Sequence, residues 1–291
     1  MNILLSRRDA LKTAALATVA LPAFMASMAR AAEVAPSAPG GKRTSPLRLG
    51  VAGFTFAKLS VEEVIAALKI VGLDAFTPYK THVPWSDGTP EQCRAVVQKF
   101  TDAGIAVTST GMIDLTNDEA AARRALDNVR AAGLKLFCAR QRPDALPLLD
   151  KLVKEYDLKV AIHNHGPTED FPTGLDVWKA VQPFDRRIGL CLDIGHGFRA
   201  GENPAATVRL ARERLYEVHL RDTAARGGTI KDPAATVVGH GIVDVRGVIA
   251  ALLEIKYPFQ VEFEYEKKED NRIPGLAESI GYVRGLVAAL A

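Results

Sequence analysis

The residues of this 291-residue chain that could do chemistry are its six histidines and a few carboxylates at the ends of apolar runs. His82, His163, His165, His196, His219 and His240 each fall at the end of a predicted strand or in the loop behind it, and none falls inside a predicted helix. Asp193 closes the run Leu190-Cys191-Leu192-Asp193. An ionised carboxylate there is costly unless it is paired or holds a metal. Val261-Glu262-Phe263-Glu264-Tyr265-Glu266 alternates with period two, so its three glutamates share one face of a strand. Glu264 is expected near the top of that strand, Glu262 deeper and Glu266 toward solvent. His163 and His165 share parity as well. Imidazole and carboxylate groups converging in this way form a mixed nitrogen–oxygen site for Mn²⁺ or Zn²⁺, with Co²⁺ or Fe²⁺ as alternatives, and not a dedicated calcium cage. Imidazoles with a reference pKa of about 6.5 also suit general-base work beside such an ion.

The elements that must position these groups repeat from residue 47 onward. A short β-rich run precedes each amphipathic segment, as Leu47–Phe54 precedes the capping box Ser60-Val61-Glu62-Glu63 and the stop at Gly72. Thr89-Pro90-Glu91-Gln92 opens a second helix and Thr116-Asn117-Asp118-Glu119 a third, ended by Gly104 and Gly133. The runs at Leu158–His163, Ile188–Asp193, Tyr216–Leu220 and Phe259–Tyr265 are expected to be strands five to eight. Eight such units in about 250 residues predict one α/β domain, a (β/α)₈ TIM barrel over 47–291. A doubly wound open sheet is the other possibility, but Gly50-Val51-Ala52-Gly53 lacks the G-x-G-x-x-G phosphate loop such a sheet usually carries.

Composition limits the partners. The chain is 48% hydrophobic and 24% charged, as globular domains are. Its net charge of +3 resides in the first segment, where Arg7, Arg8, Lys12 and Arg30 face only Asp9. The remainder carries as many acids as bases, so no broad footprint for nucleic acid exists. The three cysteines, Cys93, Cys138 and Cys191, are scattered and contain no CxxC, which predicts buried thiols. Ser6-Arg7-Arg8-Asp9-Ala10-Leu11-Lys12, an uncharged stretch and Ala29-Arg30-Ala31 read as a signal peptide over 1–31, followed by a flexible linker over 32–46. The paired arginines resemble a twin-arginine export signal, with Ala10 departing from its preferred Phe. An ordinary secretion signal or an uncleaved anchor is the other reading. Twin-arginine export predicts a periplasmic protein, folded and metal-loaded before transport, with no lasting membrane anchor after cleavage.

Leu-Cys-Leu-Asp-Ile-Gly-His at 190–196, His-Leu-Arg-Asp at 219–222, the Glu264 strand end and Ile-His-Asn-His-Gly-Pro at 162–167 together resemble the xylose isomerase-like barrel superfamily. That group includes sugar phosphate isomerases/epimerases, ketose 3-epimerases, inosose dehydratases and class II AP endonucleases. The resemblance covers about residues 47–290. It implies metal ligands at Asp193, His219 and Glu264. A family glutamate is replaced at His163, which leaves His163 itself or Glu169 in the following loop as the fourth ligand. His196 matches a substrate-binding position, and Lys80 and His82 resemble a Lys-x-His pattern expected to touch substrate. Arg199 and Arg226 are candidates for binding hydroxyls or an anionic group, although an ordinary surface role fits either, and His240 is a further substrate-binding candidate.

The function this implies is a metal-dependent sugar isomerase or epimerase acting through an enediolate on a ketose or keto-sugar, with His163, His165 and Glu264 moving protons. A keto-glycoside lyase or dehydratase is the first alternative, because losing the strand-five carboxylate weakens two-base epimerisation. A sugar-binding barrel without catalysis is the second. The three-zinc endonuclease branch does not fit, since Ile105–Met112 offers no histidine. The expected partner is a small sugar, and a homo-oligomer stays open.

Overall fold

The computed structural model describes residues 45–229 and 234–291. The expected export signal and all of the expected linker before Ser45 lie outside the described residues. Strands β1 (Arg48–Ala52), β2 (Ala75–Thr77), β3 (Ala106–Val107), β4 (Ile113–Leu115), β5 (Leu136–Gln141), β6 (Lys159–His163), β7 (Ile188–Asp193), β8 (Leu215–Leu220) and β11 (Gln260–Phe263) form one curled parallel sheet in the order β3-β2-β1-β11-β8-β7-β6-β5-β4. Helices α1 (Val61–Val71), α2 (Pro90–Asp102), α3 (Glu119–Ala131), α4 (Leu146–Tyr156), α5 (Gly174–Val181), α6 (Ile194–Arg199), α7 (Pro204–Ala211), α8 (Val245–Glu254) and α9 (Ile273–Leu290) alternate with the strands. This is a TIM barrel. The small pair β9 (Asp222–Thr223) and β10 (Ala235–Thr236) is antiparallel and separate from the sheet.

Local chemistry explains most boundaries. Ser60 and Glu63 complete the predicted capping box of α1, and Gly72 ends it at φ 67°, a left-handed conformation that costs glycine little. Thr89 caps α2 as predicted, with Pro90 at its first position. The cap of α3 is Asp118 rather than Thr116, because the chain between them is still leaving β4. Leu190, Leu192, Val218, Val261 and Phe263 are fully buried in the core between barrel and helices. The inward faces of the same strands carry Glu217, His219, Glu262 and Asp193, all buried. Period two sends the apolar set one way and the polar set the other.

The third unit departs from expectation. The single strand predicted at Ile105–Ser109 is split into β3, paired with β2, and β4, paired with β5. Gly111 lies between them, and its N–H donates to Pro78 O at 2.7 Å. A Cβ at Gly111 would come within 2.7 Å of Tyr79 Cα, so the chain can dip toward β2 there only without a side chain.

One half-buried carboxyl, that of Glu202, ties α5 to α7. Glu202 accepts from Gly174 N (3.0 Å) and Leu175 N (2.8 Å) at the start of α5, and from Thr207 Oγ1 (2.7 Å) in α7. Glu202→Ala leaves two helix-start N–H groups without partners and is expected to cost about 2–3 kcal/mol in denaturant unfolding. A loss below about 0.5 kcal/mol, the usual size of a surface change, would show that the contact is replaceable.

Candidate active site

The strand register brings distant residues together. Asp193 lies beside His219, His219 beside Glu262, and His163 beside Cys191. His163, Asp193, His219 and Glu264 are all buried, and each offers a ligand atom within 4.8 Å of the others. His163 Nε2 is 3.0 Å from His219 Nδ1, 3.5 Å from Glu264 Oε2 and 3.8 Å from Asp193 Oδ2. His219 Nδ1 is 3.0 Å from Glu264 Oε2. Ligand bonds of about 2.0–2.2 Å place tetrahedral nitrogen and oxygen atoms roughly 3.3–3.6 Å apart. The observed set therefore needs little adjustment to hold one divalent ion. Its two imidazoles and two carboxylates suit Zn²⁺, Mn²⁺, Fe²⁺ or Co²⁺. The expected alternative ligand, Glu169, instead pairs with Arg140 and stays outside this group.

Two neighbours fix the cage. Asn164 donates to Asp193 O (3.1 Å) and accepts from Asp193 N (2.9 Å), which clamps the tops of β6 and β7 together. Asp193 Oδ1 also caps α6 by accepting from His196 N at 2.7 Å.

Arg221, from the His-Leu-Arg-Asp run at 219–222, is the main electrostatic partner of the site. Its buried guanidinium donates through Nε to Asp193 Oδ2 (2.8 Å), through Nη2 to Glu264 Oε2 (2.7 Å) and through Nη1 to Glu266. The expectation that Glu266 faces solvent is thus corrected: the arginine draws it down over the cage. Period two already put Arg221 on the inward face with His219, so its direction was readable, though its three partners were not. Burial opposes charge on Glu264, but Arg221 and His219 together hold its pKa well below the usual carboxylate range. Burial opposes charge on His219 too, and Glu264 and Glu262 override it, raising its pKa.

A cavity of about 400 Å³ opens above the cage. His163, His165, His196 and His219 form one wall with Arg221 and Glu264, while Phe54, Tyr79 and Lys80 belong to the other side of the barrel. His165 is outside the ligand set, with its ring 4.4 Å from that of His163 and 5.8 Å from that of His196. Burial, then the His163 and Arg140 charges, lower its pKa to about 2, so it is a neutral imidazole. Phe54 is partly exposed and meets Tyr79 edge to face at 5.2 Å, a surface on which a sugar ring can stack.

The remaining candidates separate. Lys80 lines the cavity from an exposed position 3.6 Å from Asp114. His196 lines it as well, but from α6 rather than from a loop, contrary to expectation. His82 does not line it: Nδ1 accepts from Tyr79 N (3.2 Å) and Nε2 reaches Phe56 O (3.0 Å), so it braces two loops. Arg199 is buried and spans His196 Nδ1 (3.0 Å), Gly227 O and Thr229 O, which makes it a brace for the following loop. Arg226 lies over the Phe198 ring at 4.0 Å. His240 is exposed and pairs with Glu278 at 2.8 Å, away from the cavity. Its strand-like approach, Val237-Val238, belongs to an irregular loop organised by Asp222, which accepts from Gly239, Gly241 and Val243. Among the described residues no helix is long and apolar enough to cross a membrane.

Known proteins resemble this chain in sequence or in fold. The family model described as Xylose isomerase-like TIM barrel matches residues 140–286, which contain every residue of the cage. Inosose dehydratase from Clostridium tetani is 28% identical over 151 residues, 47% of this chain and 50% of that protein. The chain thus spans about half the length of the curated relatives it matches. Among solved structures, an IOLI protein with a bound zinc atom superposes with a TM-score of 0.65 at 18% identity, over 84% of this chain and 98% of that one. The 3-keto-D-glucoside 4-epimerase of E. coli superposes equally well, with a TM-score of 0.65 at 15% identity over 82% and 99% of the two chains.

Proposed function

The chain belongs to the xylose isomerase-like TIM barrel family, and from that premise we propose that it is a divalent-metal enzyme that removes the proton alpha to the carbonyl of a keto sugar and expels the beta substituent, as a dehydratase or lyase. The observation that carries this reading is the one-sided placement of the bases. His165 and His196 line the cavity from the β6 and β7 ends, whereas on the facing side Ala52, Gly53, Phe54, Thr77 and Tyr79 carry neither imidazole nor carboxylate, and the carboxylate there, Asp114, is held 3.6 Å from the Lys80 ammonium. Elimination needs one proton acceptor and one donor to the leaving group; two-base epimerisation needs acceptors on opposite faces.

The residues divide the work accordingly. His163, Asp193, His219 and Glu264 would hold the ion, which when bound supplies Lewis acidity toward a carbonyl oxygen. Arg221 keeps both carboxylates aimed inward and balances their charge. His165, neutral but a weak base because burial lowers its pKa, accepts the alpha proton at a ring nitrogen once the carbonyl is polarised. The electron pair left on carbon forms the new carbon–carbon double bond as the beta carbon–oxygen bond breaks, and the Lys80 ammonium protonates the departing oxygen. Phe54 and Tyr79 stack on the ring. The similarity to inosose dehydratase supports this order of preference. The expected export signal adds that the substrate is an unphosphorylated keto sugar or keto-glycoside met outside the cytoplasm.

Isomerisation or epimerisation is the second reading, favoured by Lys80 as a second proton carrier across the cavity. Incubation with inososes and 3-keto-glycosides in D₂O, followed by NMR, separates the two. Elimination releases water or an aglycone and forms an enone. An epimer carrying solvent deuterium, with nothing released, would overturn the elimination reading, and absence of turnover with a fully loaded ion would leave a sugar-binding barrel.

A further inference from the structure

Below the mouth, the barrel interior holds a second group of ligand-type atoms that the proposed chemistry does not use. Cys138 on β5, Cys191 on β7 and Glu217 on β8 point inward and are at most 1% exposed. Their two sulfurs and a carboxylate oxygen lie within 4.8 Å of one another. Neither oxygen of Glu217 makes a hydrogen bond of standard geometry, although the Ser109 hydroxyl and the Cys138 thiol lie beside the carboxyl. A buried carboxyl with both oxygens unmet is expensive, and such a group needs an explanation.

We propose that Cys138, Cys191 and Glu217 form a second cation site inside the barrel, built for a thiophilic divalent ion such as Zn²⁺. Two sulfurs and one carboxylate are a donor set that zinc accepts with tetrahedral geometry, leaving the fourth position to the Ser109 hydroxyl or a water. Bonds of about 2.3 Å to sulfur set sulfur atoms roughly 3.8 Å apart, so the cluster contracts by at most about an ångström on loading. One divalent ion replaces three protons, two from thiols and one from a carboxylic acid. The site would be structural, closing the layer beneath the mouth, because no open position faces the substrate cavity.

Cobalt distinguishes this site from the mouth cage, whose four ligands contain no sulfur, although Cys191 also lies within 4.8 Å of ligand atoms of His163 and His219. Protein produced with Co²⁺ should show a thiolate-to-cobalt charge-transfer band in the near ultraviolet. It should bind about two ions per chain by native mass spectrometry. Asp193→Ala should lose the mouth ion and keep the band, whereas Cys138→Ala should lose the band and keep the mouth ion. The wild-type spectrum decides the matter even if a variant fails to fold: no thiolate band in the cobalt-loaded protein overturns the proposal. So does a band unchanged in Cys138→Ala, which would assign it to Cys191 reaching the mouth ion. A disulfide between Cys138 and Cys191, detected as a loss of two hydrogens and resistance to alkylation, overturns it as well.

Discussion

Asp193→Ala is expected to empty the mouth cage and abolish turnover. Asp193 supplies one of four ligand groups, and its second oxygen caps α6, which carries His196 into the cavity. Removing it also leaves the buried Arg221 facing two carboxylates instead of three. Loss of the Lewis acid alone is worth several kcal/mol of charge stabilisation, so a fall of roughly 10³-fold or more follows. Metal content should drop from about one mouth ion per chain to none, measured by elemental analysis after subtracting any thiol-bound ion. Asp193→Asn separates the roles, because the amide keeps the cap and loses the charge. Chelation of the wild type should match the alanine variant in activity. An alanine variant that keeps a tenth of the wild-type rate would remove Asp193 from the chemistry.

The second large effect belongs to His165. Its ring borders the cage without entering it, and it is neutral because of burial. A positioned base contributes about 10²–10⁴-fold to proton abstraction. His165→Ala should therefore lower kcat by that factor while metal content and KM stay near the wild-type values. Solvent deuterium exchange into recovered substrate should fall in parallel, since the same proton transfer limits both. If the ion is lost together with the rate, His165 is a ligand rather than a base. If the rate survives, His196 is the residue to examine next.

Much of the cage is legible in the amino-acid sequence. Strand ends of a barrel converge, so Asp193, His219 and Glu264 in strand-terminal positions had to share a mouth. Parity turned His163 inward alongside them. The competing ligand Glu169 was harder to judge, since a loop residue has no periodicity to orient it, and Arg140 on the adjacent β5 captures it. His82, Arg199 and His240 misled for the same reason. Each follows an apolar run or a helix end, and each is used to brace loops or to pair at the surface. Glu266 was underrated because its inward direction says nothing about how deep it lies or what meets it.

The amino-acid order by itself determined the alternation of strand and helix, the caps of α1 and α2, and which side chains turn into the barrel. Those follow from interactions within a few residues, whose periods of two and 3.6 are written directly in the sequence. Only the tertiary structure decided that β7, β8 and β11 align so that one arginine joins Asp193, Glu264 and Glu266, and that two cysteines meet Glu217 beneath them. Those meetings depend on the stagger between strands, a property of the closed sheet as a whole. No single segment carries that stagger, because it arises when every hydrogen-bond ladder is satisfied at once.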